Sequence, residues 1–218
     1  MMSIQQMRET VLNVFFKQDF YSGRILVVNH FAKSDFTKYD IGIFLFWCGV
    51  VDFFGGLYGV GTNGDVASRD SAGRVLKLSN GRTFKKFIER FFVDGQRSEE
   101  LSSIIYNVFR NGMAHQLSPK KAGIGWIDSE YLIYYPAAGE AVHLNVKYFA
   151  KLSYEAFVRL RGVVDGSNPE NDNSDAIVTN IYEKILKAPN GDGLGDDRAI
   201  DNELSHLQII NYTIPIVS

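Results

Sequence analysis

A single cysteine, Cys48, stands in 218 residues. One thiol cannot build a disulfide framework or a cysteine-based zinc site. Nor is one sign of charge in surplus. Lys and Arg number 23 against 25 Asp and Glu, a formal net charge of -2 with a pI near 6.1. Residues 1–9 (MMSIQQMRE) lack the apolar stretch of a signal peptide. The acidic stretch 190–197 lacks the alternating ligands of a calcium loop, and the chain has no internal repeat. These absences point to a reducing compartment and a cytoplasmic protein without metal or other cofactor. Disorder is excluded as well, because 45% apolar residues are enough to bury a core.

The near-neutral total conceals a gradient. Residues 69–97 hold eight bases, Arg69, Arg74, Lys77, Arg82, Lys85, Lys86, Arg90 and Arg97, against Asp70, Glu89 and Asp94. Residues 165–204 invert this, with ten acids against Lys184, Lys187 and Arg198. The basic stretch is suited to a polyanion, or simply to solvent.

Helical periodicity dominates the first half. Ser3 and Gln6 match a capping box, and Ile4, Met7, Val11, Leu12 and Phe15 recur at helical spacing. A second apolar run, 25–31, either continues that helix past Ser22-Gly23 or begins another. Thr37 and Asp40 open the most apolar stretch, 41–61, which is long enough to span a bilayer but carries Asp52 and several glycines and lacks close basic flanks. It is therefore expected to be a fully buried central helix, with no membrane partner. Residues 59–83 read as a loop with a short strand at 74–78. The glycine pattern Gly59-Val60-Gly61-Thr62-Asn63-Gly64 within it comes after a long apolar run rather than a strand, which argues against a dinucleotide site. Thr83 is expected to cap a helix burying Phe84, Phe87, Ile88, Phe91 and Phe92. Ser98 is expected to cap the next, with Leu101, Ile104, Ile105, Val108 and Phe109 as its buried stripe.

Beyond Pro119 the pattern changes. Segments 123–127, 131–135 and 142–146 are short and rich in aromatic and β-branched residues, which predicts a small antiparallel β-hairpin or meander. Phe149, Leu152, Phe157, Val158 and Leu160 predict a helix to about Val164, and Ile177, Ile181, Ile185 and Leu186 another. The expected architecture is mostly α: a helical domain over 1–164 with a hairpin insertion at about 123–146, and an acidic helical segment over 165–218.

The motif helix ends in Arg110-Asn111-Gly112-Met113-Ala114-His115. At this chain's own composition, Arg-Asn-x3-His arises by chance about 1% of the time, or about 9% with looser polar residues and gaps. The stretch 106–116 resembles the signature of HEPN domains, an all-helical family that includes RNA-cleaving toxins: an Arg, a polar residue, then a His after four to six positions. The resemblance covers about eleven residues and, in layout, the helical first 120; it does not extend past Pro119. It implies a HEPN-like helical bundle that forms a homodimer, with a composite cleft for metal-independent RNA cleavage. It also implies an antitoxin protein as a partner.

On an ideal helix Arg110 and His115 lie about 140° apart, whereas Asn111 and His115 share a face. A one-chain pocket therefore needs a distortion, expected at Gly112, or a second chain. His115, with an imidazole pKa near 6.5, is suited to take the 2′-hydroxyl proton or to protonate the leaving 5′-oxygen. Arg110 is suited to hold the phosphate, Asn111 to orient the histidine or a phosphate oxygen, and Lys120 and Lys121 to add non-specific phosphate attraction. The competing reading is a non-catalytic helical module that binds a nucleotide or protein partner, with these residues capping a helix end. His30, His143 and His206 read as structural, and Tyr131, Tyr134 and Tyr135 as core residues that could otherwise stack on bases. Asp52 is either a buried polar hub or a functional carboxylate, and the sequence does not choose.

Overall fold

A computed structural model describes residues 2–26, 40–61, 67–69, 75–78, 80–92, 98–116, 121–138, 140–167 and 174–182. They form a mostly helical molecule with a small three-stranded sheet. The first helix, α1 (Ile4–Thr10), opens on a complete capping box: Gln6 N donates to Ser3 Oγ at 3.3 Å, and Ser3 N donates to Gln6 Oε1 at 2.8 Å. Without a break the chain passes into α2 (Val11–Ile25), whose winding is of the wide π type. The amide of Leu26, for instance, donates to the Tyr21 carbonyl five residues back. Its buried residues follow that wider period: Val11, Phe15, Phe16, Phe20 and Ile25. Ser22-Gly23 does not interrupt it, and Ser22 Oγ donates to the Lys17 carbonyl at 2.9 Å.

The apolar run is α3 (Asp40–Gly61). It is not buried all round. At 100° per residue one arc collects Ile43, Phe44, Trp47, Cys48, Val50, Val51, Phe54, Leu57 and Tyr58, and these are the buried residues. The opposite arc holds Ile41, Gly42, Leu45, Phe46, Gly49, Asp52, Phe53 and Gly56, all exposed or half-buried. The expectation of a fully buried helix is thus corrected, because the described residues supply neighbours mainly for one side. By length and composition α3 could cross a membrane. Its buried arc, however, is covered by the chain's own aromatic rings. Phe54 meets Phe20 at 4.7 Å, Phe157 at 5.6 Å, Phe16 at 5.9 Å and Phe87 at 6.3 Å between centroids.

The Gly59–Gly61 backbone belongs to α3, so no strand precedes that glycine pattern; residues 62–66 lie outside the described residues. Next comes a hairpin that the sequence only half revealed, with β1 (Ala67–Arg69) antiparallel to β2 (Val75–Leu78). After it, α4 (Asn80–Phe91) buries Phe84, Phe87, Ile88 and Phe91, with Phe92 just beyond. Thr83 is not its cap. The helix starts three residues earlier, and Thr83 is buried against α3, so close that a Cβ on Gly55 would lie 2.6 Å from its carbonyl oxygen.

Three segments then run in series: α5 (Ser98–Ile104), a π-type turn α6 (Ile105–Arg110), and α7 (Asn111–Gln116). The wide turn rotates the buried stripe. Ser102, Ile105, Phe109 and Met113 face inward, whereas Ile104, expected inside, is exposed.

The sheet comprises β3 (Gly123–Gly125), β4 (Ile133–Tyr134) and β5 (His143–Asn145), in the order β3-β5-β4. β4 and β5 are antiparallel as expected, but β3 pairs with β5 in parallel, so this is not a purely antiparallel meander. Gly123 and Gly125 permit the arrangement: a Cβ on the first would collide with the His143 ring, and on the second with the Tyr134 hydroxyl. Asn145 caps α8 (Val146–Asp165) by accepting from the Tyr148 amide. The last described helix, α9 (Ser174–Ile181), adds Ile177, Val178 and Ile181 to the core. Arg8 ties α1 to it, donating to Ser174 Oγ at 2.7 Å and to Asp175 Oδ1 at 2.6 Å, and also to the Val164 carbonyl. Residues 183–218, with most of the acidic segment and His206, lie outside the described residues, as does His30.

Candidate functional site

Asp52 lies in the middle of the apolar α3, where an unpaired carboxylate would be strongly disfavoured. Its partner is Arg110. The guanidinium donates to Asp52 Oδ2 from Nε at 3.1 Å and from Nη2 at 2.8 Å, and from Nη1 to Asn111 Oδ1 at 3.1 Å. The two sequence-predicted residues thus touch each other, and Asp52, which the sequence left open, joins them.

Each side chain of the ion pair is 22% exposed, so the pair sits at the rim of the core rather than within it. Arginine has five N–H groups. Three are bonded among the described residues, where one on each terminal nitrogen has no acceptor.

Burial raises the Asp52 carboxyl above its ordinary pKa of 3.8, against the hydrogen bond and charge of Arg110. For Arg110, burial opposes the charge, but hydrogen bonding to Asp52 and its charge outweigh it and raise the guanidinium pKa. Arg110 is therefore a permanent cation. The second Asp52 oxygen, Oδ1, is buried without a hydrogen-bond partner among the described residues. One turn before Asp52 on α3, the Cys48 thiol is buried and its pKa is pushed well up, by burial first and then by the Asp52 charge. A thiol so protonated is no nucleophile.

Tyr106 completes the cluster. Arg110 Cζ lies 5.4 Å from its ring centroid and Lys85 Nζ of α4 lies 5.7 Å from it. Neither Tyr106 nor Lys85 stood out in the sequence as a site residue. The usable signal was electrostatic: one acid in an apolar helix requires a cation from elsewhere in the chain.

The helix does distort beside the motif, but at 105–110 rather than at Gly112. The Asn111 amide donates to the Tyr106 carbonyl five residues back, and α winding resumes from Asn111. Wide turns of this kind recur at functional sites, because they re-aim the side chains beyond them. The backbone of His115 lies in α7, one turn beyond Asn111; its side chain is outside the described residues, as is all of Lys120. Lys121 is exposed and has a positive φ of 51°. It is not joined to the Arg110 cluster by any described contact.

Of the tyrosines expected in the core, Tyr131 and Tyr135 are 73% and 70% exposed, just outside the ends of the two-residue strand β4. Tyr134 is half-buried, 5.6 Å from the His143 ring between centroids. His143 takes a structural place in β5, although its Nδ1 is buried without a hydrogen-bond partner among the described residues. No group of three or more His, Cys, Asp and Glu side chains is placed to hold a metal among the described residues. Compared with known proteins, the chain matches no family model, no curated protein and no solved structure.

Proposed function

We propose that the chain is a metal-independent endoribonuclease of HEPN type. In this reading Arg110 holds the scissile phosphate, Asn111 orients the phosphate or the histidine, and His115 transfers protons between the ribose 2′-hydroxyl and the leaving 5′-oxygen. The observation that carries the reading is the Arg110-Asn111 contact at the rim of the core, one helical turn before His115. Asp52 takes only the Nε and one Nη2 proton and so fixes the direction of the guanidinium, the condition for a preorganised phosphate clamp.

A second copy is part of the proposal. The exposed arc of α3 is largely apolar, and at Gly42, Gly49 and Gly56 a Cβ would meet nothing within 4 Å, so nothing among the described residues requires glycine there. Close approach of another helix backbone would. The one acid on that arc, Asp52, is neutralised by Arg110, so two copies meeting across a two-fold axis face no like-charge repulsion there. The same reading makes the protein a cytoplasmic toxin with RNA as substrate and an antitoxin as regulator.

The test is incubation of single-stranded RNA with purified protein in EDTA. Wild type is expected to cut it, and His115→Ala to be slower by about 10²-fold or more. Equal degradation by both would remove the catalytic claim. One observation favours the alternative of a non-catalytic module binding a nucleotide or protein: Arg110 is already paired inside the chain. For that module salt-insensitive binding of a protein partner is expected, whereas the nuclease is expected to bind RNA with an affinity that falls steeply with salt.

A further inference from the structure

The charged side of α4 meets the motif helix at Tyr106. A Cβ built at Gly81 would come within 2.9 Å of Cε1 and Cζ of that ring, so the missing side chain lets the phenol lie directly on the α4 backbone. One turn along the same face is Lys85, which shares the ring with Arg110. Lys85 and the exposed Arg82 make no ion pair among the described residues, whereas Lys86 is paired with Glu89 at 3.2 Å. Two cations are thus held at one aromatic ring, and among the described residues the only acid bonded to either is Asp52.

We propose that Lys85 and Tyr106 form a second phosphate subsite of the cleft, taking the phosphate next to the one held by Arg110 in a single RNA strand, with Arg82 attracting the strand beyond. The proposal rests on the ribonuclease reading above and specifies how its substrate lies: across the junction of α4 and the motif helix. The two charges are no farther apart than the sum of their distances to the shared centroid, a span that neighbouring phosphates of one strand can bridge. The residue types divide the work. Arginine offers a planar fork of fixed direction for the reacting phosphate, and lysine a point charge on a flexible stem for one whose position varies. The shared ring attracts both cations through its π face and so holds them near one another. Gly81 is the positioning residue, because any side chain there displaces Tyr106.

Binding of a short fluorescent single-stranded RNA, followed by anisotropy across a salt series in the His115→Ala background, tests this. Lys85→Ala is expected to weaken binding several-fold at low salt and to reduce the slope of log affinity against log salt by about 0.7, the loss of one phosphate contact on a single strand. Lys85→Arg should restore most of the slope. Lys151→Ala, on α8 and paired with Glu130 at 2.7 Å, should change nothing. With His115 intact, Lys85→Ala should raise KM and leave kcat near wild type, since the contact is made in ground and transition states alike. A slope unchanged by Lys85→Ala, in a protein that still cuts RNA, overturns the subsite alone. A slope that responds to Lys85 in a wild type that cuts nothing overturns the ribonuclease reading and leaves the subsite standing. If no variant binds RNA, both fall.

Discussion

Asp52 and Arg110 control each other's chemistry. The sequence offered each separately, one as an anomaly in an apolar helix and the other as part of a motif, and no periodicity rule could join residues 58 positions apart. Their pairing has a pH signature opposite to that of an ordinary surface salt bridge. Burial raises the Asp52 carboxyl above 3.8, so as pH rises the unfolded chain releases this proton first. Between the unfolded and folded pKa values the folded state holds more protons, and stability falls with rising pH until the folded carboxyl has also ionised. Asp52→Asn has no such dependence. Urea denaturation across a pH series should show the wild-type-minus-variant stability difference declining from about pH 3.8 upward and then levelling off. A difference that grows with pH instead would mean that Arg110 outweighs burial.

Among the elements, α3 shows most plainly what glycine does in a helix. Gly55 is required by contact: a Cβ there meets the Thr83 carbonyl at 2.6 Å and its carbon at 2.8 Å, both backbone atoms that cannot rotate away. Gly55→Ala is expected to force α3 and α4 apart and cost about 1–3 kcal/mol. Gly42 meets nothing, so Gly42→Ala should be neutral or stabilise the isolated chain by up to about 1 kcal/mol, as alanine does in an open helix position. Thermal or urea unfolding of the two variants compares them directly, and equal effects would refute the assignment. Capping makes α1 legible in the sequence, and periodicity makes α4 and α8 so. The π-type windings of α2 and the motif helix are not legible there, because both are settled by which rings must reach the core rather than by local propensity. For the same reason Ile104 departs from its expected place while Ile105 keeps it.

At the scale of the whole molecule the prediction concerns association. A face with Ile41 and Phe53 exposed beside open glycines, next to the Arg110 site, fits a two-fold partner. Sedimentation at micromolar concentration is expected to find a dimer, and Gly49→Leu to shift it toward monomer while circular dichroism stays unchanged. A wild type that remains monomeric at every concentration would exclude a composite active site, even if single-chain RNA binding persisted.

Helical character, the capping box and the buried face of α4 were determined by the sequence alone, since each depends on residues within a few turns of one another. Tertiary structure decided the partner of Asp52, the gathering of Lys85 and Arg110 at the Tyr106 ring, the parallel pairing of β3 with β5 and the exposure of Ile41, Gly42, Gly49 and Phe53 on α3. Those features arise where segments distant in sequence compete for the same core surface. Local spacing does not encode that competition; only the packed chain resolves it.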